Sequence, residues 1–231
     1  RSRGLGDVYK RQEVIVWETG RAGEEAASYE NLFLRKEIAG FRTNIRREQS
    51  CSIKSLTRDY LYKQLLSSGE YTFDHMLVIK DPYGEAPLTA LALFILEEPA
   101  CVRVTTKGNL KETDFVTELP KKKEHRVPIL GMYAEKANDI VIEILDDEGN
   151  CVKSHTFTIR TKRLPKSLRN VITVKKWTDK PAYSNIMING GVKIHTCVFD
   201  IEGKIRYYLS RKPRGYGIFP CLLYTSDAAD D

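Results

Sequence analysis

The side chains of this sequence that could do chemistry are mainly its histidines. They stand at His75, His125, His155 and His195. Neutral imidazole is a nucleophile and a proton carrier at neutral pH, because its unperturbed pKa is about 6.5. No G-x-S-x-G elbow, phosphate-binding loop or dinucleotide fingerprint accompanies these residues. We therefore assign no catalytic, cofactor-binding or metal-binding residue from the sequence, and no cofactor.

A histidine–cysteine pair and one arginine are further candidates for chemistry. His195 and Cys197 are two residues apart, so a strand would place both on one face, where they could share a metal ion. Two such ligands with no third nearby are a weak signal, and we favour an ordinary strand position. Arg206 lies in a strand predicted to belong to a propeller blade and could line the channel, but a structural ion pair is the interpretation we favour.

The two ends of the sequence fit neither neighbouring segment. Residues 1–12 and 221–231 resemble translated sequencing adapter, and we expect them to be an artefactual leader and tail. The formal charge of +6 belongs to the part between them, because the charges of the two ends cancel. The basic runs, 121–123 and 160–169, lack interleaved aromatic residues, so we predict no nucleic-acid partner.

The remaining composition leaves the compartment open. No run approaches the eighteen apolar residues that cross a bilayer. Between the two ends the cysteines are Cys51, Cys101, Cys151 and Cys197, and none forms a C-x-x-C motif. We interpret them as scattered buried thiols, and they indicate neither a zinc site nor a disulfide framework.

Residues 13–69 are predicted to form a helical N-terminal arm. Apolar residues recur with helical spacing in two stripes, namely Leu34, Ile38, Phe41 and Ile45, and then Ile53, Leu56 and Tyr60 with Leu61 and Leu65 alongside. Gly69 is a plausible helix stop. The arm could be a docking or dimerisation element, which leaves a homodimer open, or it could pack on its own domain. We favour the second interpretation.

Residues 70–165 are predicted to form an immunoglobulin-like antiparallel β-sandwich. The strands predicted from alternation and turn residues are 76–80, 88–96, 101–107, 113–119, 140–145 and 151–161. The second is apolar on both faces, which predicts cover on both sides, and a break at 97–99 separates it from the third. Residues 146–150 predict a hairpin loop with Gly149 at positive φ. Val152 is out of phase with its strand and predicts a bulge.

Residues 166–220 are predicted to be a linker and a first partial propeller blade. The strands expected there are 171–175, 194–200 and 204–209, the last two joined by an acidic turn at Glu202 and Gly203. The fold class is therefore mainly β: a sandwich with a helical arm before it and a truncated blade after it.

Four stretches in order, 81–108, 125–133, 146–150 and 199–209 followed by 215–220, resemble the N-terminal region of aryl-sulfate sulfotransferases that work without a nucleotide sulfate donor. The resemblance covers about 68–220. It implies a downstream six-bladed propeller, in which a histidine takes a sulfuryl group from an aryl sulfate and passes it to a phenol. It also implies that the catalytic residues lie beyond Pro220, so the chain itself is expected to be inactive.

The resemblance further implies that the aryl sulfate donor and the phenol acceptor are partners of the full-length protein only. Members of the family are often exported or periplasmic, and the localisation of this chain stays unknown. The alternative is a non-catalytic immunoglobulin-like adhesion or carbohydrate-binding module. A propeller scaffold that has lost its chemistry is a third hypothesis.

Overall fold

The computed structural model describes residues 12–29, 47–170, 172–175, 185–188 and 195–210, and the chain there is mainly β, as predicted. Its helices are α1 (Thr19–Ala27) and α2 (Arg47–Ser67). Its strands are β1 (Glu13–Trp17), β2 (His75–Lys80), β3 (Ala90–Thr106), β4 (Phe115–Ile129), β5 (Ala137–Leu145), β6 (Cys151–Arg160), β7 (Asn185–Ile188), β8 (Cys197–Asp200) and β9 (Ile205–Tyr208). Short 3-10 turns lie at Lys111–Thr113 and Lys166–Leu168.

Six strands form one sheet, in the order β1-β2-β3-β5-β6, with β4 also paired to β3. The first half of β3 pairs with β2 and with the end of β4, whereas its second half pairs with the start of β4 and with β5. Both halves of β3 contribute to the same core, Phe94 from the first half and Val104 from the second, together with Val78 of β2 and Ile140 and Ile142 of β5. The long β3–β4 hairpin therefore carries the chain from one part of the sandwich to the other.

The break predicted at 97–99 is wrong. Strand β3 runs without interruption through these residues, and the register against β4 shifts between Ile95 and Ala100 and again before Val102. A bulge accommodates the extra residues and bends the strand while the strand continues. Strand β4 likewise extends beyond the predicted end at 119, because Pro120 falls within the irregular register, where no ladder hydrogen bond is required of it.

Strands β2 and β3 are covered on both faces, as the sequence predicted for 88–96. Their second face packs on the two helices, through Leu77, Ile79, Leu91 and Leu93 on the sheet and Ala22, Ala26, Leu61, Tyr62 and Leu66 on the helices. The described part of the arm therefore packs on its own sandwich, which is the interpretation we favoured. Gly69 ends α2 at φ 74°, as predicted.

The predicted buried face of α2 is confirmed at Leu61 and wrong at Leu56. Leu56 is 45 % exposed, whereas Thr57 and Leu61 are buried. Among the described side chains of α2 the first buried one is Thr57, whose hydroxyl donates to the Lys54 carbonyl at 3.0 Å, so a polar residue occupies a position that an apolar pattern cannot reveal. The other predicted stripe, 34–45, lies outside the described residues.

The first residues of the predicted helical arm form a strand. β1 pairs in parallel with β2, from Glu13 opposite His75 to Trp17 opposite Ile79. The β-branched run of Val14, Ile15 and Val16 favours this conformation. The signal was present in the sequence, but the parallel partner lies about sixty residues further along.

Two local predictions in the β5–β6 hairpin are confirmed. Gly149 has φ 83° in the connecting loop. Ile144 pairs with Lys153 and Leu145 pairs with Cys151, so Val152 is the bulged residue. Val152 is 67 % exposed, which explains why its hydrophobicity was out of phase.

A second sheet, in the order β7-β8-β9, follows the sandwich. Residues 172–175 form no strand, so that prediction is wrong within the described residues. Cys197, Ile205 and Tyr208 belong to the same buried cluster as the sandwich core. The predicted domain division at 165 and 166 stays a prediction, and the hydrophobic core crosses it. In the part of the chain described here, no helix is long and apolar enough to span a bilayer.

Candidate functional site

A buried polar cluster lies where the second sheet meets the sandwich. Its centre is Arg206 in β9, which is 1 % exposed, beside the fully buried Asp200 at the end of β8. The sandwich supplies Tyr133 and Gly131 from the loop after β4, and Thr113 from the 3-10 turn before β4. Three separate parts of the chain therefore meet around one guanidinium group.

Arg206 is held by several acceptors at once. Its Nε donates to the Gly131 carbonyl at 2.6 Å. Its Nη1 lies 2.8 Å from the Thr113 carbonyl, 3.0 Å from the Tyr133 hydroxyl and 3.3 Å from Asp200 Oδ2. The guanidinium carbon stands 4.0 Å from the centroid of the Tyr133 ring. Such an arrangement uses the planar fork of arginine and could not be reproduced by lysine.

Asp200 completes the cluster and shapes the turn that follows β8. Its Oδ2 accepts a hydrogen bond from the Tyr133 hydroxyl at 3.0 Å. Its Oδ1 accepts the backbone N–H groups of Glu202 at 3.0 Å and Lys204 at 2.9 Å. An aspartate that bonds to the backbone just after it is a common turn initiator. The same carboxylate therefore fixes the β8–β9 turn and neutralises Arg206.

Gly131 is required by geometry at this point. Its φ is 75°, and a Cβ on it would lie 2.7 Å from the Cβ of Phe115. Only glycine combines a positive φ with so close an approach. The orientation of the Gly131 carbonyl toward Arg206 is thus a product of the loop conformation.

Arg206 and Asp200 are buried, so we interpret the cluster as one that stabilises the fold. A buried cation and anion cost free energy unless they are hydrogen-bonded, and here the carboxylate, the phenol and two carbonyls accept from Nε and Nη1 of Arg206. Its Nη2 has no partner among the described residues. Burial raises the pKa of Tyr133, which keeps its hydroxyl protonated as a donor to Asp200. The structural ion pair that we favoured for Arg206 is confirmed.

Sequence reasoning missed the partners of Arg206, namely Thr113, Gly131 and Tyr133. They are between 73 and 93 residues away from it along the chain. Gly131 and Tyr133 did fall within the stretch 125–133 that carries the family resemblance, which was the one available signal.

The structure places the four histidines in separate surroundings. His125 is buried, stacks on Phe94 and donates from Nε2 to the Lys122 carbonyl at 2.8 Å. His155 is buried beside Phe73, whose carbonyl lies 3.4 Å from Nδ1. Burial lowers the pKa of both imidazoles, because it penalises the charged form. Both rings are therefore held as neutral packing groups.

The other two histidines differ in exposure. His75 is partly exposed in β2, with Nδ1 3.5 Å from a carboxylate oxygen of Glu13. His195 precedes β8 and donates from Nδ1 to the Leu209 carbonyl at 2.7 Å. Cys197 is buried. Within the described residues, no group of three or more histidine, cysteine or acidic side chains is placed to hold a metal ion.

The fold and this cluster define a class of protein: a β-sandwich module that carries a helical layer on one face and a firmly attached second sheet. Residues 77–162 match the family model described as the arylsulfotransferase Ig-like domain. The match begins within β2 and ends just after β6, so this part of the chain is an Ig-like domain of the aryl-sulfate sulfotransferase family. No curated protein matches the sequence.

Proposed function

We propose that the chain is the N-terminal region of an enzyme that moves a sulfuryl group from an aryl sulfate to a phenol. The match of 77–162 to the arylsulfotransferase Ig-like domain is the observation that carries this proposal. In this scheme the group is carried on a histidine of a β-propeller that is not part of this sequence. The described region then acts as a scaffold.

The surroundings of the histidines support placing the reactive imidazole elsewhere. A nucleophilic imidazole must present an unprotonated nitrogen to the substrate. His125, His155 and His195 are buried, which keeps a substrate from their rings, and the partly exposed His75 lies beside the Glu13 carboxylate. A sulfuryl acceptor of this kind also needs cationic donors aimed at the sulfuryl oxygens, whereas Arg206 is enclosed by its own structural partners.

The buried polar cluster suggests what the scaffold does. Arg206 and Asp200 anchor β8 and β9 to the sandwich, so the direction in which the chain leaves β9 is set by the Ig-like domain. We propose that this anchor orients the propeller relative to the sandwich. The role is structural, and it needs no substrate contact from the described residues.

The test is an assay of two proteins side by side. The first is a longer protein that contains this chain and the proposed propeller. It should transfer sulfate from 4-nitrophenyl sulfate to a phenol, and the absorbance of the released 4-nitrophenol measures the reaction. The chain of this sequence alone should show no transfer. A longer product that folds but transfers no sulfate would contradict the enzyme assignment. If that product instead retained glycans, the carbohydrate-binding alternative would replace it.

A further inference from the structure

A large groove opens at the end of the sandwich, away from the buried polar cluster. Its volume is about 1240 Å³. It is formed by the start of β2, the bulge of β3 and the β5–β6 hairpin, and its floor includes Phe73, Leu96 and Leu145, which are buried. The exposed Val152 stands at its rim. A cavity of this size exceeds the usual range for small-molecule pockets, about 300–1,000 Å³, and suits a polypeptide segment.

The groove is acidic in a basic chain. Six carboxylates line it, against two lysines, although the chain as a whole carries a formal charge of +6. The two lysines are already paired, Lys121 with Asp147 and Lys153 with Asp74. Glu97, Glu98 and Glu148 form no ion pair with any described residue. Their carboxylates are therefore available to pair with cationic groups of a ligand.

Two interruptions of the β-ladders meet at this groove. In β3, residues 96–99 have no register partner in β2, β4 or β5. In β6, the bulged Val152 has none in β5. Strand β6 is also the last strand in the order of its sheet, and an edge strand presents backbone groups that an extended peptide can pair with. The groove therefore offers backbone hydrogen bonding, apolar contact and negative charge together.

We propose that this groove binds an extended segment of a partner protein that carries lysine or arginine side chains alternating with apolar ones. The basic side chains lie against Glu97, Glu98 and Glu148, and the apolar ones contact the floor and Val152. Charge complementarity selects this occupant, because a second copy of the chain would bring a surface of mixed charge. The proposal does not depend on the sulfotransferase assignment.

The test uses a fluorescently labelled peptide of alternating lysine and valine as the probe, with a glutamate and valine peptide as its counterpart. Anisotropy titrations with the whole chain should show saturable binding of the lysine peptide only. The double substitution Glu97→Gln/Glu98→Gln should weaken binding about threefold to tenfold, since each exposed ion pair contributes modestly. The loss should shrink as salt is raised.

The chain offers matched controls for both parts of the groove. Glu24 and Glu25 are an adjacent exposed pair on α1, so Glu24→Gln/Glu25→Gln should leave binding unchanged. Val116 is 53 % exposed on β4, and Val152 is 67 % exposed; Val152→Ser should weaken binding and Val116→Ser should not. All of these residues are on the surface, so the variants should fold as the parent does.

Three outcomes would overturn the proposal. Absence of saturable binding would exclude the site. Equal weakening by the two glutamate pairs would show attraction to the general field of the protein. Concentration-dependent dimers that the Glu97→Gln/Glu98→Gln change dissociates would show that a second copy fills the groove.

Discussion

The guanidinium of Arg206 is enclosed by one carboxylate, one phenol and two backbone carbonyls, and these acceptors replace the water that a cation loses on burial. Removing one member of such a group leaves the others without compensation. The cost of a substitution here should therefore exceed the net contribution of the pair itself.

Arg206→Met should lower the free energy of unfolding by about 3–5 kcal/mol, because Asp200 would remain buried without its cation. Urea denaturation monitored by circular dichroism measures the change. Arg103→Met is the matched control, since Arg103 forms a partly exposed ion pair with Glu118 at 2.8 Å and should cost no more than about 1 kcal/mol. Equal effects of the two changes would contradict a structural role for the buried polar cluster.

The pH dependence of stability should reveal the buried histidines. The folded state lowers the pKa of His125 and His155 from 6.5 by burial, so the unfolded chain binds protons first as the pH falls. Stability should therefore decrease as the pH drops below about 6.5 and should be insensitive to these groups above it. Urea midpoints measured across this range test the sign.

The double change His125→Gln/His155→Gln is the companion experiment. It removes both groups that bind protons more tightly in the unfolded state, so the decrease below about 6.5 should become shallower. An unaltered pH profile in this variant would show that other groups cause the dependence.

The sequence predicted that Arg206 forms a structural ion pair, but it did not predict which residues surround it. A lone arginine in a predicted strand is more often paired than catalytic, and that reasoning held. The identity of Thr113, Gly131 and Tyr133 as partners could not be predicted, since nothing local to β9 specifies contacts with residues so far along the chain.

In helix α2 a polar residue lies on the buried face, so the pattern of hydrophobic residues does not identify that face correctly. Thr57 is buried and Leu56 is exposed, which reverses the expectation from hydrophobicity alone. The helix is also held by Arg58 and Tyr62, both of which donate to the Pro82 carbonyl of the β2–β3 loop. These polar contacts hold α2 against the β2–β3 loop, beside the apolar contacts of Leu61 and Leu66.

Leu61→Ala should destabilise the protein by about 2–4 kcal/mol, because it leaves a cavity between α2 and the sheet. Leu56→Ala, which removes the same atoms from the solvent side, should change stability by no more than about 0.5 kcal/mol. Chemical denaturation of the two variants checks the assignment. A larger loss from Leu56→Ala would restore the stripe predicted from the sequence.

The strands were predictable where alternation or continuous hydrophobicity marks a buried face, as in β2, β3 and β5. The bulge at Val152 was predictable because one apolar residue fell out of phase. The extension of β4 was not, since its middle residues are solvated lysines that carry no periodic signal. Strand β1 needed a parallel partner that local pattern does not supply.

At the level of the whole molecule, the sandwich and the segment after residue 165 share one hydrophobic core. Leu168, Cys197, Ile205 and Tyr208 all join the buried cluster of the sandwich. The sequence suggested a linker after 165, because a proline and several basic residues occur there. Composition indicates where a chain turns, but it does not show whether the following segment folds back onto the same core.

A chain ending at 165 should therefore be less stable than one ending at 210. Its urea midpoint should fall, and its m-value should fall as well, because less surface becomes exposed on unfolding. Identical midpoints and m-values would show that the second sheet contributes nothing to the fold of the sandwich, and would support an independent domain after 165.

The parallel pairing of β1 with β2 has a consequence for how the protein must be produced and stored. Met76, Leu77, Val78 and Ile79 are fully buried, and β1 occupies the outer edge of their strand. β1 is the edge of its sheet, and without it the edge would pass to β2, whose unpaired amide and carbonyl groups, flanked by four large apolar side chains, could pair with the same edge of another molecule. The five residues of β1 thus cover an aggregation-prone edge. A chain that starts after Trp17 should precipitate even if it folds.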